Sequence, residues 1–127
     1  MTPYLLCFLL GSAVPEPWMK ALALVESGDN PRAVGRHGER TMYQVHPKVW
    51  RMHTKTPMHK AGPNMVRGIV KEEWSRRINL FEVKHKRKPT PREAYILWNA
   101  PSRLRNPSRL TKDTAVRFEN LVTNNKP

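Results

Sequence analysis

The sequence is short of acid. Ten Asp and Glu stand against 23 Lys and Arg in 127 residues, a formal charge of +13 at neutral pH. That balance excludes an acidic solvating protein and calls for a polyanionic partner, of which nucleic acid, anionic lipid and anionic wall polymer are the classes. Cysteine is confined to Cys7, which rules out an intrachain disulfide and a cysteine-rich zinc site. His37, His46, His53 and His59 are spaced too loosely for a metal motif of the His-Glu-x-x-His kind, so no metal and no cofactor is expected. A Gly-rich phosphate loop is missing, and Ser27 has no evident His and Asp partners for a hydrolase triad. No apolar run reaches the roughly 20 residues that span a bilayer. Four Trp, in a chain that is 39% hydrophobic, argue against wholesale disorder.

What is present falls into two unequal parts. Residues 1–13 carry no charged side chain. The apolar run Tyr4 to Leu10 and the small residues Gly11-Ser12-Ala13 have the form of a secretory signal peptide cut after Ala13. The alternative is a buried amino-terminal element of the domain. Residues 14–127 are enough for one domain and not for two.

The remaining chain reads as helices. Pro17 suits the start of a helix, and Trp18, Ala21, Leu22 and Val25 share one face of it. Gly28 fits a left-handed helix end. Pro47 opens a short helix carrying Val49 and Trp50. Asn64 can cap a long helix with Val66, Ile69, Val70, Trp74, Ile78 and Phe81 at helical spacing. Thr90-Pro91-Arg92-Glu93 is a capping box with Pro at the first helical position. A last helix is expected over Lys112–Val122 with Ala115, Phe118 and Val122 inward. There is no internal repeat and no run of alternating strands, so the expected class is mainly α with little or no sheet.

With so few acids, Glu26 draws notice. It lies at the C-terminal end of an apolar helix, beside Val25 and four residues after Leu22. Desolvation and the negative end of the helix dipole both favour its neutral form. A carboxylic acid kept protonated is what general-acid cleavage of an acetal requires. The competing reading is a solvated residue in the last helical turn.

The segment Val25-Glu26-Ser27-Gly28-Asp29-Asn30-Pro31-Arg32-Ala33-Val34 resembles the start of the lytic transglycosylase domain, a lysozyme-like family related to goose-type lysozyme. Three further segments follow in that family's order. Gly38 to Val45 with Pro47 resembles its Gly-rich segment ending in Met-Gln. Asn64 and Gly68 resemble the start of its next long helix, and Tyr95 to Leu104 resembles its Tyr-Asn-Ala-Gly-Pro segment. Together they cover roughly residues 17–104. Thr41 stands in place of a family Gly, Glu39 in place of a small residue and Trp98 in place of a Tyr whose hydroxyl approaches the catalytic Glu. The Gly between Ala100 and Pro101 is missing.

The resemblance implies a lysozyme-like helical domain that cleaves peptidoglycan between N-acetylmuramic acid and N-acetylglucosamine. Glu26 would be the single general acid and base. Gln44, Trp98, Asn99 and Tyr43 would contact or orient the glycan, with Trp98 either stacking on a sugar or packing in the core. The implied partner is the peptidoglycan strand, and the protein would be an exported monomer of the periplasm or cell envelope without a transmembrane span. Two alternatives stand beside this: a catalytically retired wall-glycan-binding protein, and a basic nucleic-acid-binding protein using the run Lys84-His85-Lys86-Arg87-Lys88.

Overall fold

Pro15 sets the first helix. Its carbonyl accepts from Trp18 N–H (3.0 Å) and Met19 N–H (3.2 Å), and helix α1 runs over Glu16–Ser27. The computed structural model describes residues 14–124, so the expected export segment and Cys7 lie outside the described residues. Helix α2 is Pro47–His53, α3 Pro63–His85, α4 Pro91–Asn99 and α5 Arg109–Asn124. Short 3₁₀ turns, Met58–Lys60 and Pro101–Arg103, precede α3 and follow α4. The described residues contain no strand, only isolated bridges pairing Val34 with Arg40 and Arg40 with Val45. The fold is mainly α. None of the helices is long and apolar enough to cross a membrane, among the described residues.

The elements form for local reasons that the sequence carries. The Thr90 capping box is complete: its hydroxyl accepts from Glu93 N–H (3.2 Å) and the Glu93 carboxylate from Thr90 N–H (2.9 Å). Two boundaries differ from expectation. Asn64 does not cap α3; Gly62 does, with Pro63 in the first turn. Helix α5 starts three residues early because the Ser108 hydroxyl accepts from Thr111 N–H at 3.2 Å, which satisfies an otherwise orphaned first-turn donor. The buried stripe of α1 is also wider than its spacing suggested, since Met19 and Ala23 are buried with Ala21 and Leu22.

Trp74, in the middle of α3, is the hub of the core. Its ring centroid lies 6.0 Å from Trp18, 6.2 Å from Trp98 and 5.8 Å from Phe118, and its indole N–H donates to the Ala94 carbonyl at 2.8 Å. Tilted and edge-on aromatic contacts of this kind are favourable beyond the area they bury, provided the indole donor has a partner. Trp74 therefore brings α1, α3, α4 and α5 to one point. Helix α5 packs against both α1 and α4, closing the bundle.

Directly before Trp74 in α3 lies a buried charge. Glu73 is 1% exposed. His53 Nε2 sits 3.0 Å from its Oε1, Arg76 Nη2 donates to its Oε2 at 2.7 Å and Arg77 Nε to the same oxygen at 2.8 Å. Burial alone would raise the carboxyl, but Arg76, Arg77 and His53 override it and hold the group down at about 2. A depressed carboxyl contributes stability above its unfolded value and loses it as pH falls through the folded one. Stability should therefore drop between about pH 5 and pH 2. Glu73→Gln should shrink that acid transition, leaving the share of Glu93, which Arg87 also holds down at about 2, and destabilise the protein at neutral pH by about 3 kcal/mol, since it leaves clustered cations unpaired. Urea melts of both proteins across pH check it.

Candidate active site

The end of α1 is built to stop sharply. Gly28 (φ 65°) and Asp29 (φ 67°) are both left-handed, and their N–H groups donate to the Leu24 (2.9 Å) and Ala23 (3.0 Å) carbonyls. Only Gly adopts this conformation without a Cβ penalty, which explains the Ser-Gly pair. The Ser27 hydroxyl donates to the Met42 carbonyl at 2.7 Å and accepts from Asn30 N–H at 3.0 Å. Ser27 thus ties the helix end that bears Glu26 to the loop holding Gln44.

That loop is a tight, bridged turn. Arg40 and Val45 exchange both backbone bonds (3.1 and 2.8 Å), and Gly35 N–H donates to the Glu39 carbonyl at 2.7 Å. Gln44 is itself left-handed (φ 53°), and its amide donates to the carbonyls of Thr41 (3.0 Å) and Ala33 (3.3 Å). A Cβ on Gly35 would come within 2.5 Å of Gln44 Oε1 and 2.8 Å of Glu39 Oε2, so a side chain there would push the ends of these two side chains off the loop. Thr41 has φ 72°. A β-branched residue there is strained, because this backbone shape suits glycine.

Helix α4 supplies the other wall. Tyr95 and Asn99 are four residues apart and so share a face. The Tyr95 hydroxyl donates to Glu26 Oε1, and Asn99 Nδ2 donates to the same oxygen at 3.4 Å. The Asn99 amide is oriented from behind: Thr111 Oγ1 donates to Asn99 Oδ1 at 3.0 Å, and Ser108 Oγ donates to Thr111 Oγ1 at 3.0 Å. With its oxygen occupied, the amide turns its N–H₂ toward Glu26. Arg77 anchors the helix end, donating Nη1 to the Leu97 and Trp98 carbonyls at 2.8 Å each.

Burial raises the Glu26 carboxyl above its ordinary value; the Tyr95 and Asn99 bonds pull it back, and the negative charge of Glu39 adds a smaller push upward. Tyr95 is itself raised, first by burial and then by Glu26, so it stays a protonated donor. Glu39 is fixed by the His37 N–H at 2.7 Å. Glu26, Glu39, Gln44, Trp98, Asn99 and Arg77 line one cleft of about 280 Å³.

Of the residues expected from sequence, Glu26, Gln44, Trp98 and Asn99 come together in this cleft, and Tyr43 lines a neighbouring cavity instead. Trp98 is 7% exposed, packs on Trp74, lies under the Arg77 guanidinium (5.2 Å) and donates its N–H to the Tyr43 carbonyl at 3.0 Å. Its indole does not reach Glu26; Tyr95, one helical turn earlier, does. Tyr95, Glu39 and Arg77 are the site residues that sequence reasoning missed. Tyr95 carried a signal, its four-residue spacing from Asn99. Among the described residues no group of three or more His, Cys, Asp or Glu is placed to hold a metal ion. The basic run also has a structural member: Arg87 donates twice to Glu93 at 2.8 Å.

No family model, curated protein or solved structure matches the chain.

Thr41→Gly should leave stability within about 1 kcal/mol of wild type, because relief of the left-handed strain is offset by the extra chain entropy and by the lost bond from Tyr43 N–H to Thr41 Oγ1 (3.2 Å). Melting temperatures that differ by no more than a few degrees check it. For an acid that acts protonated, activity falls as pH rises through its pKa. Tyr95→Phe removes a donor that favours the carboxylate, so that descending limb should move to higher pH. Glu39→Gln removes a like charge and should move it to lower pH. Opposite displacements in pH–rate profiles are the expected result.

Proposed function

We propose that this protein cleaves the glycan strand of peptidoglycan between N-acetylmuramic acid and N-acetylglucosamine, with Glu26 as the single general acid and base. One observation carries the reading: a carboxyl raised by burial, yet touched by two donors that stabilise its anion, faces a polar cleft. A group under such opposed influences can give a proton in one step and take one in the next.

Protonated Glu26 donates to the glycosidic oxygen as the bond to the muramoyl C1 breaks. The resulting oxocarbenium character is met by the sugar's own N-acetyl group, so no protein nucleophile is required. The Glu26 carboxylate, held by Tyr95 and Asn99, then takes the proton of the muramoyl C6 hydroxyl, which closes a 1,6-anhydro ring. Attack by water in place of that hydroxyl gives hydrolysis. Gln44 and Asn99 border the cleft where the sugars lie. The resemblance of the segments around Glu26, Gln44 and Asn99 to the lytic transglycosylase domain supports the same assignment, and the reading extends to a mature protein in the cell envelope, where such a substrate lies. Net charge of +13 suits an anionic wall polymer.

Digestion of purified peptidoglycan, with mass analysis of the soluble muropeptides, tests the proposal. Wild type should release products ending in anhydromuramic acid. Glu26→Gln is nearly isosteric and should keep fold and glycan binding while losing about 10²- to 10⁴-fold in turnover. Full activity in Glu26→Gln would refute the mechanism. Wall binding without turnover in wild type would select a retired glycan-binding protein, and salt-sensitive DNA binding without wall affinity a nucleic-acid protein.

A further inference from the structure

Helix α5 turns one polar residue into the core. Its buried positions are Thr111, Ala115, Phe118 and Val122, at the spacing of a single helical stripe. Thr111 alone of these is polar, although valine has the same branched shape. Burying a hydroxyl is costly unless its hydrogen bonds are made. Those of Thr111 are made behind the Glu26 site: Oγ1 accepts from Ser108 Oγ and donates to Asn99 Oδ1, at 3.0 Å each. Neither bond is needed to start α5. The first-turn bond from Thr111 N–H to Ser108 Oγ (3.2 Å) uses only the backbone of residue 111. Neither partner needs the hydroxyl for its own satisfaction, since Ser108 and Asn99 are exposed and water can serve them.

What the hydroxyl decides is which end of the Asn99 amide meets Glu26. The two ends of an amide have almost the same outline, but the oxygen only accepts and the nitrogen only donates. With Oδ1 held by Thr111, Nδ2 lies 3.4 Å from Glu26 Oε1. Turned over, the amide would set its oxygen against a carboxylate oxygen, and the two would repel. We propose that Thr111 is a positioning residue of the Glu26 site: its hydroxyl locks the Asn99 amide with the nitrogen toward the carboxyl group. The use of this lock in turnover rests on the glycan-cleaving reading; the lock itself is a property of the free protein. Helix α5, which borders no part of the cleft, thereby acts on Glu26 through one side chain of α4.

The test follows the Glu26 carboxyl carbon by NMR across pH in the free protein, and pH–rate profiles on peptidoglycan, for Thr111→Val, Thr111→Ser and Ser108→Ala. Thr111→Val should melt within a few degrees of wild type, since it continues the apolar stripe. Its Glu26 should nevertheless titrate about half a unit higher, because two or three hydrogen bonds move a carboxylate by roughly two units and this one is long. The descending limb of its pH–rate profile should move up by the same amount. Thr111→Ser keeps a hydroxyl and should titrate as wild type. Ser108→Ala removes the cap of α5 and should lower the melting temperature without moving the titration. The other titratable and charged groups around Glu26 are the same in every variant: Tyr95 on α4, Glu39, His37 and His46 along the Gln44 loop, Arg77 on α3, and Arg117 on α5, which acts on Tyr95. A wild-type titration in Thr111→Val, or a displacement that Thr111→Ser shares, would overturn the proposal. So would a displacement in Ser108→Ala that follows its loss of stability, since the role of Thr111 would then be structural. If wild type releases no muropeptides while the three titrations behave as expected, the lock stands and the cleavage reading fails.

Discussion

The Arg77 guanidinium joins the parts of the site. It donates backward to Glu73 and forward to the last free carbonyls of α4, those of Leu97 and Trp98. Ala100 N–H takes the carbonyl before them, that of Ile96. The C-terminal turn of α4, whose carbonyls would otherwise be orphaned, is thus closed by a side chain of α3. Tyr95 and Asn99 project from that helix, so their reach to Glu26 depends on where Arg77 holds it. Glu73 in turn fixes Arg77, and His53 ties α2 to the same carboxylate. The aromatic contacts around Trp74 set the spacing of the helices; the Glu73–Arg77 pair sets the register of α4 against α1.

The site is under local strain. Asp29, Thr41 and Gln44 all adopt positive φ, a conformation that costs an L-residue roughly 1–2 kcal/mol. These three residues, at the end of α1 and in the Gln44 loop, are held by bonds made elsewhere: Ser27 to Met42, Gln44 to Ala33 and Thr41, and the Arg40–Val45 pair. Strained backbone of this kind persists only where surrounding contacts over-determine it. The reward is a loop thin enough to separate two cavities while presenting Gln44 to one and Tyr43 to the other.

Much of the helical framework was legible in the sequence because it is written in local code. The Thr90 box, the Gly28 stop and the 3.6-residue spacing around Trp74 each act within a turn or two. The start of α5 was missed because Ser108 sits in a loop rich in Arg and Pro that offers several plausible caps. The Tyr95 hydroxyl on Glu26 was not legible for a different reason. Matching segments residue by residue puts Trp98 where the hydroxyl should be, whereas a helix presents Tyr95 and Asn99 side by side. The Glu73 network was not legible at all. Its members come from α2 and α3 and its targets from α4, so nothing in the spacing of any one segment announces it.

The same network answers a difficulty in the electrostatics of the cleft. Arg77 lines the cleft with Glu26, in a protein of charge +13. A free guanidinium there would hold the Glu26 carboxyl ionised and remove its use as an acid. Arg77 is instead committed to Glu73, which is held down at about 2 and so is ionised whenever Glu26 titrates. The influences on Glu26 are burial, Tyr95, Asn99 and Glu39, and Arg77 is not among them. Scarce acid is therefore spent where it counts. One buried carboxylate neutralises the cation beside the cleft, a second in the cleft wall pushes Glu26 upward, and the excess positive charge is left on the surface, where water and salt screen it from Glu26.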